Sequence, residues 1–189
     1  PNTVAVPDVV APAEPVHDVL FLGKLSYAPN EEAIERLGHI WPRVVERCPG
    51  TTLVLAGAAP GPDVVDLARH RGWTLLADFD DLATVVGSAR LATAPLWHAS
   101  GIQSKVLEAA AFGLPQVISP AVAKGFGPGF PALVAADDDA LVDGLARLVD
   151  DFEERARLGA AARAYVAEHY SVARWVPWAA GVLDRAARP

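Results

Sequence analysis

Ser100, Gly101, Lys105 and Glu108 fall within a single stretch, Pro95 to Pro115, that reads PLWHASGIQSKVLEAAAFGLP. Together these residue types suit a ligand that carries both negative charge and hydroxyl groups. Small residues just before a helix let an anion approach the free N–H groups and the positive end of the helix dipole. Lys105 adds a cation in the first turns, and Glu108, one turn further on, can accept hydrogen bonds from hydroxyls. A ribose diphosphate combines those features. A second small-residue and lysine pair stands at Gly23-Lys24. The plainer reading of the same stretch is an ordinary strand-to-helix connection with solvated Lys105 and Glu108. The pattern alone leaves both readings open.

The elements that must position these residues follow from apolar runs and their punctuation. Leu91 to Ala94 reads as a buried strand. A helix is expected from near Ile102, with Val106, Leu107, Ala110 and Ala111 at helical spacing. Gly113 stops it, and residues 117–119 form the next strand. Before this unit, residues 19–23, 51–57 and 73–76 read as strands. The helices between them are expected from Asn30 as N-cap, kinked at Pro42, then over 64–70 and 81–89, the last capped by Asp80. After it come a Gly- and Pro-broken loop over 121–130, a short strand at 132–136, and helices over 140–149, 152–170 and 172–187. Strands alternating with helices imply a Rossmann-like, doubly wound parallel α/β sheet of about six strands, with helices on both faces and C-terminal helices at the end. In such sheets ligands bind beyond the carboxyl ends of the strands. Five loops share that rim: 23–27, 57–61, 77–79, 97–104 and 120–127.

Composition narrows the function classes. The 189 residues carry a net charge of -7 with no run of Lys or Arg, which argues against nucleic acid or an anionic membrane surface as the main partner. No apolar stretch approaches the roughly 18 residues of a membrane span, and no signal peptide is visible. The single cysteine, Cys48, excludes an intrachain disulfide and fits a cytosolic setting. The five histidines are scattered, and no His/Cys cluster has metal spacing. No metal and no cofactor are expected.

The chain contains no Met and opens PNTVAVPDVVAPAEP, Pro- and Val-rich and without periodicity. Residues 1–16 are expected to be a hinge or linker, and residues 17–189 the α/β domain that carries the site. A preceding domain is the expectation, with a processed N-terminus as the competing explanation.

Three stretches carry a resemblance: FLGKLSYAPNEEAI, WPRVVERCPGTTLVLAG and ATAPLWHASGIQSKVLEAAAFGLPQVIS. They resemble the C-terminal half of a retaining glycosyltransferase of the two-domain GT-B fold, the glycosyl transferases group 1 type of family four. The opening PNTVAV is similar to that family's interdomain hinge, and LGAAARAYVAEHYSVARWVPWAAGVLDRA to its closing helices. The resemblance covers nearly the whole chain, and the block SGIQSKVLEAAAFGLPQVIS is its most specific part.

The resemblance implies a donor site for a nucleoside-diphosphate sugar, usually a UDP or GDP sugar, passed to an acceptor with retained anomeric configuration. Gly23 and Lys24 would face the diphosphate, as would Lys105, with helix-start N–H groups from Ser100, Gly101 and Ile102. Glu108 matches the second Glu of the family's Glu-x7-Glu motif and would bind the ribose. Leu76, Ala77 and Asp78 would meet the base. Glu108, Lys105 and Lys24 are the candidate catalytic residues. Two positions depart from the family pattern. The motif's first Glu, which sits near the donor sugar, falls at Ser100, a change shared by members with a GSGIxNKVLE-like sequence. Ala77-Asp78 stands where a Gly is usual. Tyr27 and Asn30 read as loop packing and a helix cap. The implied partners are the nucleotide-sugar donor, an acceptor glycan or glycolipid and the protein's own N-terminal domain. The implied location is the cytoplasm, peripheral at the inner membrane face through that domain. Trp175 and Trp178 would either cross to it or pack on this domain. The fragment alone is expected to be inactive. Two alternatives stay open: a GT-B-type nucleotide-sugar epimerase and a non-catalytic binding or scaffold domain. A receiver-type flavodoxin-like domain would need clustered acids after the first strand, where Gly23-Lys24 stands.

Overall fold

A computed structural model describes residues 2–7 and 15–186. Six strands alternate with helices. In chain order they are β1 (His17–Leu22), α1 (Ala28–Arg47), β2 (Leu53–Gly57), α2 (Pro62–Arg71), β3 (Thr74–Ala77), α3 (Leu82–Gly87), β4 (Ala89–Ala94) and α4 (Ser104–Ala111). They continue with β5 (Gln116–Ile118), α5 (Pro120–Phe126), β6 (Leu133–Val134), α6 (Asp138–Asp150), α7 (Phe152–His169) and α8 (Val172–Ala186). The strands form one sheet in the order β3-β2-β1-β4-β5-β6, and every pairing is parallel. This is the expected Rossmann-like α/β architecture. The order reverses between β1 and β4, so the crevice where such sheets hold ligands opens beyond Leu22 and Ala94.

Alternation along the strands builds a core on each face. Val19 and Phe21 of β1 join the larger cluster with Ile34 and Leu37 of α1 and Leu141 and Leu145 of α6. Leu20 and Leu22 face the other way, with Val85 and Val86 of α3 and Ala109 of α4. β1 and β2 are almost wholly apolar because both of their faces are covered.

Several expected boundaries move, each for a physical reason. α1 begins at Ala28 with Tyr27 as its N-cap, so Asn30 lies inside the first turn and does not cap it. Pro29 sits where no helical N–H is needed, which lets the helix start before it. Pro42 lies within α1 without ending it. α3 is capped by Asp81, not Asp80: the Asp81 carboxylate accepts from the N–H groups of Ala83 and Thr84 at 3.1 and 3.2 Å. Of the stretch expected as a loop over 121–130, residues 121–126 join α5 and residues 127–130 are loop; the helix starts because Ser119 accepts from Val122 N–H and Pro120 occupies the first turn. β6 shrinks to two residues at the sheet edge.

The described part of the expected hinge is docked. Val4 bridges to Ser171 in parallel, donating to the Tyr170 carbonyl at 3.0 Å and accepting from Val172 N–H at 3.1 Å. Residues 8–14 of the expected linker lie outside the described residues. In α8 the Trp175 indole donates to the His169 carbonyl at 3.0 Å, while Trp178 is 54% exposed. So Trp175 packs on this domain, and Trp178 turns its ring outward against it.

Candidate functional site

Beyond the carboxyl ends of β1 and β2 the backbone itself shapes the site. Gly57 closes β2 at φ 151°, and a Cβ there would stand 1.6 Å from the Gly23 carbonyl oxygen. No side chain fits, so the two strand ends touch through backbone alone. Gly23, at φ 147°, faces the end of Lys105: a Cβ on Gly23 would come within 3.2 Å of the Lys105 Nζ. The two glycines floor a cleft of about 490 Å³ whose walls include Ala58, Asp78, Phe79 and Glu108.

α4 delivers the charged groups. Its apolar residues Val106, Leu107, Ala109 and Ala110 are buried in the two cores. That packing leaves Lys105 and Glu108, three residues apart, on the side that meets β1 and the cleft. The Lys105 ammonium donates to the Asn30 side-chain oxygen and lies 4.6 Å from the centre of the Phe21 ring. Burial pushes it down to about 7, with the Glu108 carboxylate opposing the shift. Burial likewise raises the Glu108 carboxyl, with Lys105 opposing. Both shifts have one cause: each group has lost water without gaining a full counter-charge. An incoming anion would supply that charge to Lys105, and hydroxyl groups would give Glu108 the hydrogen bonds that favour its ionised form.

The helix start is the main correction. α4 begins at Ser104 with Gln103 as N-cap, so its free N–H groups belong to Ser104 and Lys105, not to Ser100, Gly101 and Ile102. Those three residues form the loop before the helix. Gln103 spends its side chain on the Ser100 carbonyl, and the Ile102 carbonyl accepts from the Asn2 amide at 3.2 Å. The β4–α4 loop is therefore tied to the docked N-terminal segment. Lys24 is exposed, with its carbonyl turned inward to the Asn30 amide at 2.8 Å.

The expected base loop divides. Leu76 and Ala77 end β3, and Leu76 packs on the smaller core. Asp78 lines the cleft opposite Gly23 with φ 49°, the left-handed conformation that Gly adopts freely and Asp tolerates better than most residues. Its carboxylate reaches back to the Ala59 N–H at 3.4 Å. This is a physical reason why Asp can occupy a position where Gly is usual.

Sequence reasoning did not find Asn30. Asn30 is 3% exposed and joins the β1–α1 loop to Lys105. Phe79 ends the rim loop 77–79, where the resemblance implies backbone contacts to the base, and its side chain also forms part of the cleft wall. Among the described residues no group of three or more His, Cys, Asp or Glu could hold a metal ion, and no helix is long and apolar enough to cross a membrane.

This arrangement has known relatives. The structure of Anabaena Alr3699/HepE in complex with UDP-glucose superposes with a TM-score of 0.71, at 16% identity, over 91% of this chain and 49% of that one. TarM of S. aureus gives 0.72 at 14% identity, over 93% of this chain and 37% of TarM. The sucrose-phosphate synthase of Thermosynechococcus elongatus gives 0.69 at 22% identity, over 89% and 45%. At these identities the likeness is one of fold, and the chain spans less than half the length of each of the three. No curated protein matches the chain. The glycosyl transferases group 1 family model matches residues 16–151, and the chain belongs to that family.

Proposed function

We propose that the cleft beyond β1 and β2 binds the nucleoside diphosphate of a nucleotide-sugar donor, and that the whole protein transfers the sugar to an acceptor with retained configuration. The observation that carries this reading is the Lys105–Glu108 pair. A buried ammonium meets an amide oxygen, an aromatic face and a glycine backbone, with a carboxylate one turn away at the cleft wall. In this reading the diphosphate lies against the Gly23 backbone and the α4 start, where Lys105 and the N–H groups of Ser104 and Lys105 meet its charge. Exposed Lys24 approaches from the β1–α1 loop. Glu108 accepts the ribose hydroxyls, and the base reaches Asp78 and Phe79.

The chemistry follows from the charge. As the bond between the sugar and the diphosphate breaks, negative charge grows on the leaving phosphate. Donors fixed in a partly desolvated site stabilise that charge more than they stabilise the bound donor. Lys105, Lys24 and the helix N–H groups supply that stabilisation without a metal. UDP is the first donor base to test, because UDP and UDP-glucose are bound in the HepE structures; GDP is the second. The acceptor is a surface glycan or glycolipid, held by an N-terminal domain that closes the cleft from the cytoplasmic side of the membrane. Without that domain the 189-residue chain binds donor and turns nothing over.

Ser100, at the position of the motif's first Glu, favours one second reading: a domain that binds nucleotide without catalysis. Calorimetric titration of the chain with UDP, GDP, ADP and TDP, beside Glu108→Ala, tests the site. Selective binding of one diphosphate, weakened about ten-fold or more in the variant, is expected. Equal affinity in Glu108→Ala would remove the ribose assignment. Turnover by the full-length protein then separates the transferase from the binding domain, and turnover without acceptor would identify an epimerase instead.

A further inference from the structure

Asn30 is 3% exposed, and a buried amide must place two donor hydrogens and an acceptor. Its nitrogen donates to the Lys24 carbonyl at 2.8 Å, and its oxygen accepts from the Lys105 ammonium. These two partners fix the amide's orientation. A carbonyl can only accept and an ammonium can only donate, so the flipped amide would lose both bonds. The ammonium is thereby held over Phe21 and beside Gly23, where a Cβ would stand 3.2 Å from the Nζ. Asn is the side chain this position needs. Ala would leave the ammonium without an acceptor. Asp would hold it but cancel its charge and face the Lys24 carbonyl with a second acceptor.

We infer that Asn30 is a positioning residue: its neutral amide holds the Lys105 ammonium at the carboxyl end of β1 with its charge uncancelled, ready for an anionic ligand. The inference rests on the proposed donor site for the identity of that anion, and on the geometry alone for the hold on Lys105. The charged group acting on Lys105 is Glu108, on the same helix. Phe21 of β1, Gly23 of the β1–α1 loop and Asn30 of α1, which meet Lys105, carry no charge, and Lys24 enters through its carbonyl.

The test uses the 189-residue chain with its lysine side chains isotopically labelled. There are three lysines, Lys24, Lys105 and Lys124, so Lys105→Met assigns the resonance. Two readouts are followed in wild type, Asn30→Asp and Asn30→Ala: the titration midpoint of Lys105 by NMR, and affinity for UDP-glucose by calorimetry. Asn30→Asp differs little in shape and guards against a variant that fails to fold. It should raise the Lys105 midpoint by about one pH unit or more while weakening UDP-glucose about ten-fold. Asn30→Ala should lower the midpoint and weaken binding as well. A side chain that merely packed α1 would not move the midpoint in opposite directions in the two variants. Unmoved midpoints, or an Asn30→Asp chain that binds UDP-glucose as tightly as wild type, would overturn the inference. Glu108→Ala keeps the Asn30 amide in place, so weaker binding in that variant with unchanged affinity in both Asn30 variants would sink the positioning role and leave the donor site standing. Midpoints that shift as expected in a chain that binds no UDP-glucose would uphold the hold on Lys105 and reject UDP-glucose as its ligand.

Discussion

Two regions of the molecule each hold a largely buried cation, Arg36 in one and Lys105 in the other, and they treat it differently. Where α1 meets α6, Arg36, Arg43 and Arg47 pair with Asp138, Asp139 and Asp143 in a ladder along the two helices. Each arginine faces its own carboxylate, and Arg36 also stacks on the Trp97 ring at 3.5 Å. At the carboxyl end of β1, Lys105 faces a neutral amide instead. The ladder's charges are paired within the chain, although the buried Arg36 Nη2 has no hydrogen-bond partner among the described residues; it joins α1 to α6 and, through Trp97, meets the β4–α4 loop. At the rim the cation is desolvated, and Glu108, one turn away, opposes the resulting downward shift without cancelling it. A cation whose partner belongs to the fold reads as structure; a cation poised beside a cleft on glycine backbone reads as a site.

The sharpest way to break the rim is steric. Gly57→Ala puts a methyl group 1.6 Å from the Gly23 carbonyl oxygen, so the strand ends must separate. The cost is expected at ~3 kcal/mol or more, read as a drop in the urea midpoint, with nucleotide binding lost alongside. Next comes charge. Lys105→Met keeps length and apolar contact with Phe21 but removes the ammonium, and should weaken UDP-glucose about ten-fold or more in calorimetry.

The same substitution sharpens the contrast through pH. Lys105 sits near 7 in the folded chain against an ordinary 10.5, so between about pH 7 and 10 the unfolded chain binds the extra proton. Stability should therefore rise with pH across that window in wild type. Lys105→Met should lose that rise, as urea midpoints measured at pH 7 and pH 9.5 would show. The smallest effect belongs to the ladder. Arg43→Ala removes a solvent-exposed pair with Asp139 and should leave both the urea midpoint and UDP-glucose affinity almost unchanged. An affinity loss there equal to that of Lys105→Met would erase the distinction between the two regions.

Much of this was legible in the sequence because the signals were local. Apolar runs ending in Gly23 and Gly57, and the strand, loop and helix around Lys105 and Glu108, announced a parallel sheet and its rim. Where the reading slipped, either a neighbouring residue outweighed the obvious signal or the partner lay far along the chain. Asn30 followed by Glu31 and Glu32 looks like a cap, but Pro29 is as comfortable inside a first turn as before it. Asp80 and Asp81 offer the same carboxylate, and only geometry chose the second. Ser119 and Pro120 started a helix in a stretch whose glycines suggested a loop. Ser100 and Gly101 looked like the helix start, yet α4 opens three residues beyond Gly101, at Ser104. The link between Asn30 and Lys105 joins positions 75 residues apart, and no pattern in one sequence reveals such a pair. Asp78 stands where the family pattern has Gly, and its left-handed backbone accounts for that position.

The most direct measurement is the affinity of the chain for UDP-glucose from pH 6 to pH 8, in wild type and in Lys105→Met. Across that window neither the diphosphate nor the uracil N3–H of UDP-glucose titrates appreciably, so a change in affinity comes from the protein. Wild type should bind tightest near pH 6, where Lys105 carries its proton, and progressively more weakly above about 7; Lys105→Met should bind weakly and evenly throughout. Binding by wild type that is flat with pH and equal to the variant would show that Lys105 is not the cation that meets the diphosphate.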